Sequence, residues 1–264
     1  MFAAVMPHGG ALIPGVEETD ENASAELTEA MDRIASNAAE ARLDVVFIAT
    51  PHGVRIEDAH SIAMATTTEG SLGPFDLSAP IDHTTSVEIL AEAQERKLPC
   101  VGILFGGQSV PLPMDWGVFV PLWFLSQTGP LPPVVVICPS RSFGLDTLAD
   151  LGRVIAEHAE KSTLRIGIIA SADQAHAHQA EGPYGFDPTA RVFDELIVDI
   201  TRRGAYQEYL RLSSDLIETA LPDSPWQLAI LKGAFDVVDF AVKSVDYDCP
   251  SYFGMMCAEF ARGQ

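Results

Sequence analysis

The sequence predicts an α/β fold: a single domain with a central, mostly buried mixed sheet flanked by helices. Short continuous apolar runs, the pattern of strands covered on both faces, recur along the chain. Between them lie segments with apolar residues at helical spacing. No internal repeat, low-complexity linker or break in composition divides the 264 residues. They are therefore read as one domain, 1–264, a length suited to a large α/β unit.

The first strand is FAAVM, residues 2–6. Residues 17–41, rich in Ala and Glu with Leu27, Met31 and Ile34 at helical spacing, predict a helix, and DVVFIAT at 44–50 predicts the next strand. Further strands are expected at 61–67, 100–105, 134–138 and 165–171, with helices at 86–96 and 145–161. Leu131, Pro132 and Pro133 make a local stop. The C-terminal third predicts helices at 193–203, 206–219 and 226–242, then an extended stretch through Val245. Such alternation of strands and helices implies a sheet covered on both faces.

Composition excludes some functions. With 37 acidic against 16 basic residues and a net charge of −21, the chain lacks the clustered Lys and Arg that a nucleic-acid backbone requires. No apolar stretch approaches the ~20 residues of a membrane span, and no basic leader precedes the first strand, so a soluble cytoplasmic protein is expected. Cys100, Cys138, Cys249 and Cys257 show no CxxC spacing and read as reduced thiols. For Cys138, at a strand end, no basic setting lowers the thiol pKa, and a buried inert thiol is expected.

Chemistry concentrates just past the strands. His8 in MPHGG and His52 in ATPHGV each follow Pro and precede Gly at the carboxyl end of an apolar run. In open α/β sheets ligands bind outside those ends, and Pro-His-Gly supplies an extended exit followed by a turn. One such histidine could simply cap a loop by hydrogen bonding; two in matching contexts point to a metal or catalytic site. A third group follows residues 165–171: Ser171, Asp173, His176 and His178, then GPYGFDP at 182–188. Asp173 and His176, three apart, would form an acid/base pair on one helical turn. The plainer alternative is a solvated helix start capped by Ser171 or Asp173. His178 is expected at the surface, as are His60, His83 and His158. FGGQSVP at 105–111 lacks the spacing and lysine of a phosphate loop and reads as a turn.

MPHGG, TPHG, SADQAH with GPYGFDP, and DYDCPSYFGM, in this order over almost the whole chain, resemble the class III extradiol dioxygenase superfamily. That superfamily includes the catalytic subunit of protocatechuate 4,5-dioxygenase and the Memo-like proteins. The resemblance implies a nonheme Fe(II) held by two histidines and a carboxylate, with open positions for a diol and dioxygen. His8 and His52 match the two histidine ligands, His176 the acid/base histidine, Asp173 the acidic residue beside it, and Tyr184 the loop that borders the pocket. For the third ligand the candidates are Asp223, the nearer match, and Glu218, in LIETALPDSPWQ. Asp223 also fits a helix N-cap followed by Pro225 in the first turn. The implied partners are a small aromatic diol or aminophenol and O2, with a homodimer or a second subunit as further candidates.

Two departures bear on activity. Where the family often carries Asp-His-Gly before a VPL segment, this chain reads MDWGVFVPL, so Trp116 replaces a titratable ring with a donor-only indole that could reshape the pocket, stack on a ring or sit in the core. Near the C-terminus the family's YExP is Tyr247, Asp248, Cys249, Pro250. The expected activity is extradiol cleavage of a catechol-like or aminophenol-like ring. The alternatives are a noncatalytic Memo-like metal-binding protein or a member that uses Zn(II).

Overall fold

Along four central strands, each buried throughout, alternate side chains face two separate cores. The computed structural model describes residues 1–16 and 24–263. Its elements in chain order are β1 (Phe2–Met6), α1 (Ala25–Glu40), β2 (Val45–Ala49), β3 (His60–Ala63), β4 (Thr67–Leu72), β5 (Phe75–Pro80), α2 (His83–Glu95), β6 (Cys100–Ile103), β7 (Leu112–Pro113), α3 (Trp116–Ser126), β8 (Val134–Cys138), α4 (Leu145–Lys161), β9 (Ile166–Ser171), α5 (Thr189–Arg203), α6 (Ser214–Ala220), α7 (Pro225–Phe235), β10 (Phe240–Asp248) and β11 (Met255–Arg262). Ala3, Val5, Val45, Phe47, Val135, Ile137 and Ile168 pack beneath α2, α4, α5 and α7. Their neighbours Ala4, Met6, Val46, Ile48, Val134, Val136 and Ile169 face α1 and α3. A strand buried on both faces must read as an unbroken apolar run, which is why these strands were legible.

The main sheet has eight strands in the order β10-β11-β1-β9-β2-β8-β3-β6, and a small sheet has the order β5-β4-β7. β1, β9, β2 and β8 are mutually parallel, whereas β3 runs antiparallel to β8 and β11 antiparallel to β1. The sheet is thus mixed, and the four parallel strands end at one edge. The loops after them, where His8, His52, Arg141 and Asp173 lie, converge there.

Several expectations shift. The helix anticipated over 17–41 is α1, capped by Ser24 Oγ accepting from Leu27 N at 3.3 Å; residues 17–23 lie outside the described residues. The anticipated 226–242 helix stops at Phe235, and Phe240 begins β10, whose apolar start reads equally well as helix or strand. The 206–219 helix is a 3₁₀ segment, Tyr206–Arg211, followed by α6. β11 and α3 were not anticipated. α3 is buried nearly all round and contains Pro121, so it shows no amphipathic stripe.

The segment after β9 is not a helix. Its backbone bonds are tertiary: Gln174 N donates to Gly254 O at 2.7 Å, His176 N to Ala220 O at 3.0 Å, and His178 N to Tyr252 O at 3.2 Å. A chain whose N–H groups are claimed by carbonyls of two distant segments has none left for i→i−4 bonds. Among the described residues no helix is long and apolar enough to cross a membrane. All four cysteines are free.

Candidate metal centre and active site

His8 leaves β1 and turns inward, 2% exposed. Its backbone N–H donates to Asp173 Oδ1 at 3.0 Å, and Nδ1 meets Ser171 Oγ at 3.0 Å. With Nδ1–H donating to that hydroxyl, the Nε2 lone pair is turned toward the centre of the site. His52, after β2, approaches from the other side, its backbone N–H on Thr50 Oγ1 at 3.2 Å. Thr50 in turn donates to Asp115 Oδ1 at 2.7 Å, the same oxygen that caps α3 through Val118 N. The loop before α7 delivers the third group, the Asp223 carboxylate, 4% exposed.

The three groups form a closed triangle. His8 Nε2 lies 3.1 Å from His52 Nε2 and 3.2 Å from Asp223 Oδ2, and His52 Nε2 lies 3.5 Å from the same oxygen. Adjacent ligands of an ion with bonds of about 2.1 Å stand roughly 3 Å apart, so these edges fit one small cation. The donor set of two imidazoles and a carboxylate is that of the facial 2-His-1-carboxylate arrangement. His8, His52 and Asp223 can therefore hold a metal; a second overlapping group, Asp173, His176 and Asp223, also brings its donor atoms within 4.8 Å of one another.

Electrostatics without an ion are consistent with that geometry. Burial opposes a charge on His8, but Asp173 and Asp223 outweigh it and raise its pKa to about 9. Asp223 is buried too, yet His8 and His52 hold its carboxyl well below the usual range. Asp173 is pushed the other way, up, because burial and the Asp223 charge exceed the pull of His8. Two neighbouring carboxyls thus differ in charge preference, the pattern expected when one is a charge-bearing ligand and the other manages a proton.

Asp223 does not cap α7. Ser224 occupies that position with Pro225 in the first turn, and the Asp223 Oδ1 accepts instead from Asp173 N at 2.9 Å. Glu218 is exposed and belongs to neither donor group. His176 stands with its ring stacked on Phe253, centroids 5.5 Å apart at 15°, and its edge toward Tyr184 at 5.5 Å. Its Nδ1 is buried and meets no partner. Tyr184, 55% exposed, borders the opening. Trp116, first residue of α3, is 52% exposed rather than in the core, its ring 4.6 Å from that of His52. His8, His52, Trp116, Asp173, His176, Tyr184 and Phe253 line a cleft of about 1200 Å³. An adjoining cleft of about 870 Å³ shares His52, His176 and Tyr184 and takes in Asp223.

Three histidines expected at the surface are not there. His178 Nε2 pairs with Asp194 Oδ2 at 2.8 Å, and Asp194 also accepts from Tyr247 Oη at 2.7 Å and Ala175 N at 2.8 Å. This buried aspartate of α5 ties down the loop carrying Asp173 and His176. His60 is fully buried with Nδ1 accepting from Ser140 N at 3.0 Å, and burial lowers its pKa to about 4. His158 is largely covered and meets Glu92 at 2.9 Å. Sequence reasoning missed Asp194 and Ser171's role because their partners are remote in the chain; Tyr247, three residues before Pro250, was the nearest available signal. The Cys138 thiol is buried and pushed up to about 12, as an inert thiol should be.

Comparison with known proteins bears on this arrangement. The family model described as the catalytic LigB subunit of aromatic ring-opening dioxygenase matches residues 2–256. Protein CA_C1420 of Clostridium acetobutylicum is 22% identical over 252 residues, which is 92% of this chain and 54% of that protein, so the chain spans about half the length of this curated relative. In fold, the chain is similar to the crystal structure of uncharacterized protein JW3007 from Escherichia coli K12, with a TM-score of 0.62 at 15% identity, covering 98% of this chain and 99% of that one. The match across nearly every element of the sheet shows that the chain belongs to the LigB catalytic-subunit family of aromatic ring-opening dioxygenases, the class III extradiol group.

Proposed function

We propose that the protein is a nonheme Fe(II)-dependent extradiol dioxygenase that cleaves a catechol-like or aminophenol-like ring with O2, His8, His52 and Asp223 holding the metal. The observation that carries this reading is the triangle of 3.1, 3.2 and 3.5 Å among two imidazole nitrogens and one carboxylate oxygen, at the edge where four parallel strands end. When bound, Fe(II) acidifies the coordinated diol and connects it electronically to dioxygen. The protein's groups do the rest. Ser171 fixes the ring of His8 through Nδ1. His176 takes a hydroxyl proton at a ring nitrogen within 4.8 Å of the Asp173 and Asp223 oxygens and returns it later, with Asp173 as its acidic companion. Phe253 and Tyr184 hold the His176 ring in place. Tyr184 and the Trp116 indole border the substrate and limit water.

The test is metal analysis of anaerobically purified wild type beside His8→Ala, His52→Ala and Asp223→Ala, followed by oxygen uptake on a catechol and aminophenol panel. The reading expects near-stoichiometric iron in the wild type, lost in all three variants, and uptake that His176→Phe abolishes while leaving iron bound. Full turnover by His176→Phe sinks its assigned role, and absence of metal after reconstitution sinks the centre. The exposed indole of Trp116 beside His52, where family members often carry a titratable ring, favours a second reading: a metal-binding protein, with Zn(II) as the alternative ion, without dioxygenase turnover. Metal retained through the same three residues with no uptake on any ring supports that second reading.

A further inference from the structure

The stretch Tyr247, Asp248, Cys249, Pro250 carries a thiol that ring cleavage does not use. Of the four free cysteines, Cys100, Cys138 and Cys257 are buried and Cys249 alone is partly exposed. Burial pushes the Cys100 and Cys138 thiols up to about 12 and the Cys257 thiol well above its ordinary value. That is the inert setting of a structural cysteine. Cys249 sits differently. The His178 imidazole reaches its sulfur by a side-chain hydrogen bond, as does the Tyr247 hydroxyl. The same imidazole is paired through Nε2 with Asp194 Oδ2 at 2.8 Å. Thiol, imidazole and carboxylate thus stand in series, the order of a cysteine nucleophile, its proton carrier and an orienting acid.

The series is held from several sides. Asp194 Oδ1 accepts from Ala175 N at 2.8 Å, and Oδ2 accepts from Tyr247 Oη at 2.7 Å. A Cβ on Gly254 would fall 2.0 Å from Asp194 Oδ2, so backbone closes directly over that carboxylate. His178 N donates to Tyr252 O at 3.2 Å. Asp248, the acidic neighbour in sequence, accepts through Oδ1 from Cys249 N at 2.8 Å, and the sulfur faces Ser251 O at 3.4 Å. With its pKa raised to about 9, chiefly by Asp194, His178 is cationic at neutral pH. An imidazolium touching a sulfur is a counter-ion for a thiolate and a source of a proton.

We propose that Cys249, with His178 and Asp194, is a peroxide-reactive thiol, a site of sulfenic acid formation separate from the His8, His52 and Asp223 centre. The thiolate sulfur attacks one oxygen of hydrogen peroxide. An S–O bond forms as the O–O bond breaks, and the departing hydroxide takes the His178 proton and leaves as water. Sulfur loses two electrons and the peroxide gains them, so the ion pair becomes a neutral sulfenic acid beside a neutral imidazole. Asp194 orients the imidazole and holds its charge. No ring substrate and no metal take part.

The experiment uses the full chain at neutral pH, with glutathione as the reference thiol. Iodoacetamide is applied to the protein as isolated, and hydrogen peroxide with dimedone is applied with a chelator present, so that no iron meets the peroxide. Peptide mass spectrometry assigns each adduct to a cysteine. Cys249 is expected to react with both reagents about 10-fold or more faster than glutathione. Cys100, Cys138 and Cys257 stay unmodified over the same period, and Cys249→Ser gives no adduct. His178→Gln lowers the Cys249 rate to that of glutathione or below, and Asp194→Asn lowers it in part. A wild-type Cys249 rate no faster than that of glutathione overturns the site, and this comparison decides alone if either variant fails to fold. An unchanged rate in folded His178→Gln overturns it as well, as does dimedone found on the buried cysteines instead.

Discussion

Ser171 illustrates how a single hydroxyl can govern the centre without touching an ion. It meets His8 Nδ1 at 3.0 Å and so decides which ring nitrogen carries the lone pair toward His52 and Asp223. Ser171→Ala is expected to weaken metal affinity about 10- to 100-fold while leaving the fold intact, measured by competition with a chelator. His178 offers a pH test. The Asp194 hydrogen bond first, and the Cys249 thiol second, raise its pKa to about 9 from an ordinary 6.5. A raised histidine stabilises the fold fully below pH 6.5 and loses that contribution as pH climbs through 9. Asp194→Asn should therefore cost stability at pH 6 by about 1–2 kcal/mol more than at pH 10, after allowing for solvent screening. Equal losses at both pH values in denaturant titrations would show that the ion pair is not what Asp194 contributes.

Among the elements, the close approach of α4 and α7 sets where Asp223 stands. A Cβ on Gly233 would fall 1.8 Å from the Ala149 carbonyl oxygen, and one on Gly152 1.9 Å from that of Ile230, so these helices touch backbone to backbone. Gly233→Ala is expected to destabilise by about 1–3 kcal/mol or more, since neither backbone can yield cheaply. Because α7 begins two residues after Asp223, weaker metal binding should accompany that loss. His60 works similarly on the loop after β8. His60→Phe leaves the Ser140 N–H without its acceptor and should cost about 1–3 kcal/mol in chemical unfolding. Neither contact was legible in the sequence. A glycine shows no sign of what backbone lies opposite, and a histidine in a polar stretch looks the same whether it faces water or a buried amide.

For the whole molecule, the net charge of −21 matters more than any one pair. Exposed pairs such as Arg191–Glu195 offset little of the repulsion among 37 acidic groups. The melting temperature should rise as NaCl is raised from about 0.01 to 0.5 M, because shorter screening lengths weaken that repulsion. A flat or falling melting temperature would mean that the acidic groups are already dispersed beyond one another's reach.

What the sequence by itself determined was local. Continuous apolar runs marked β1, β2, β8 and β9, and Pro-His-Gly placed His8 and His52 at strand exits, because strand burial and turn chemistry are written in adjacent residues. Tertiary structure alone decided which carboxylate joins them. His8 and Asp223 are 215 positions apart, and Asp223 reads locally as a cap for α7, whereas in the fold its Oδ1 accepts from Asp173 N instead. The same holds for the irregular backbone around His176, whose N–H groups bond to Gly254, Ala220 and Tyr252. A local pattern predicted one helical turn there; three distant carbonyls claimed those donors first, because a buried amide takes whatever acceptor the packed chain presents.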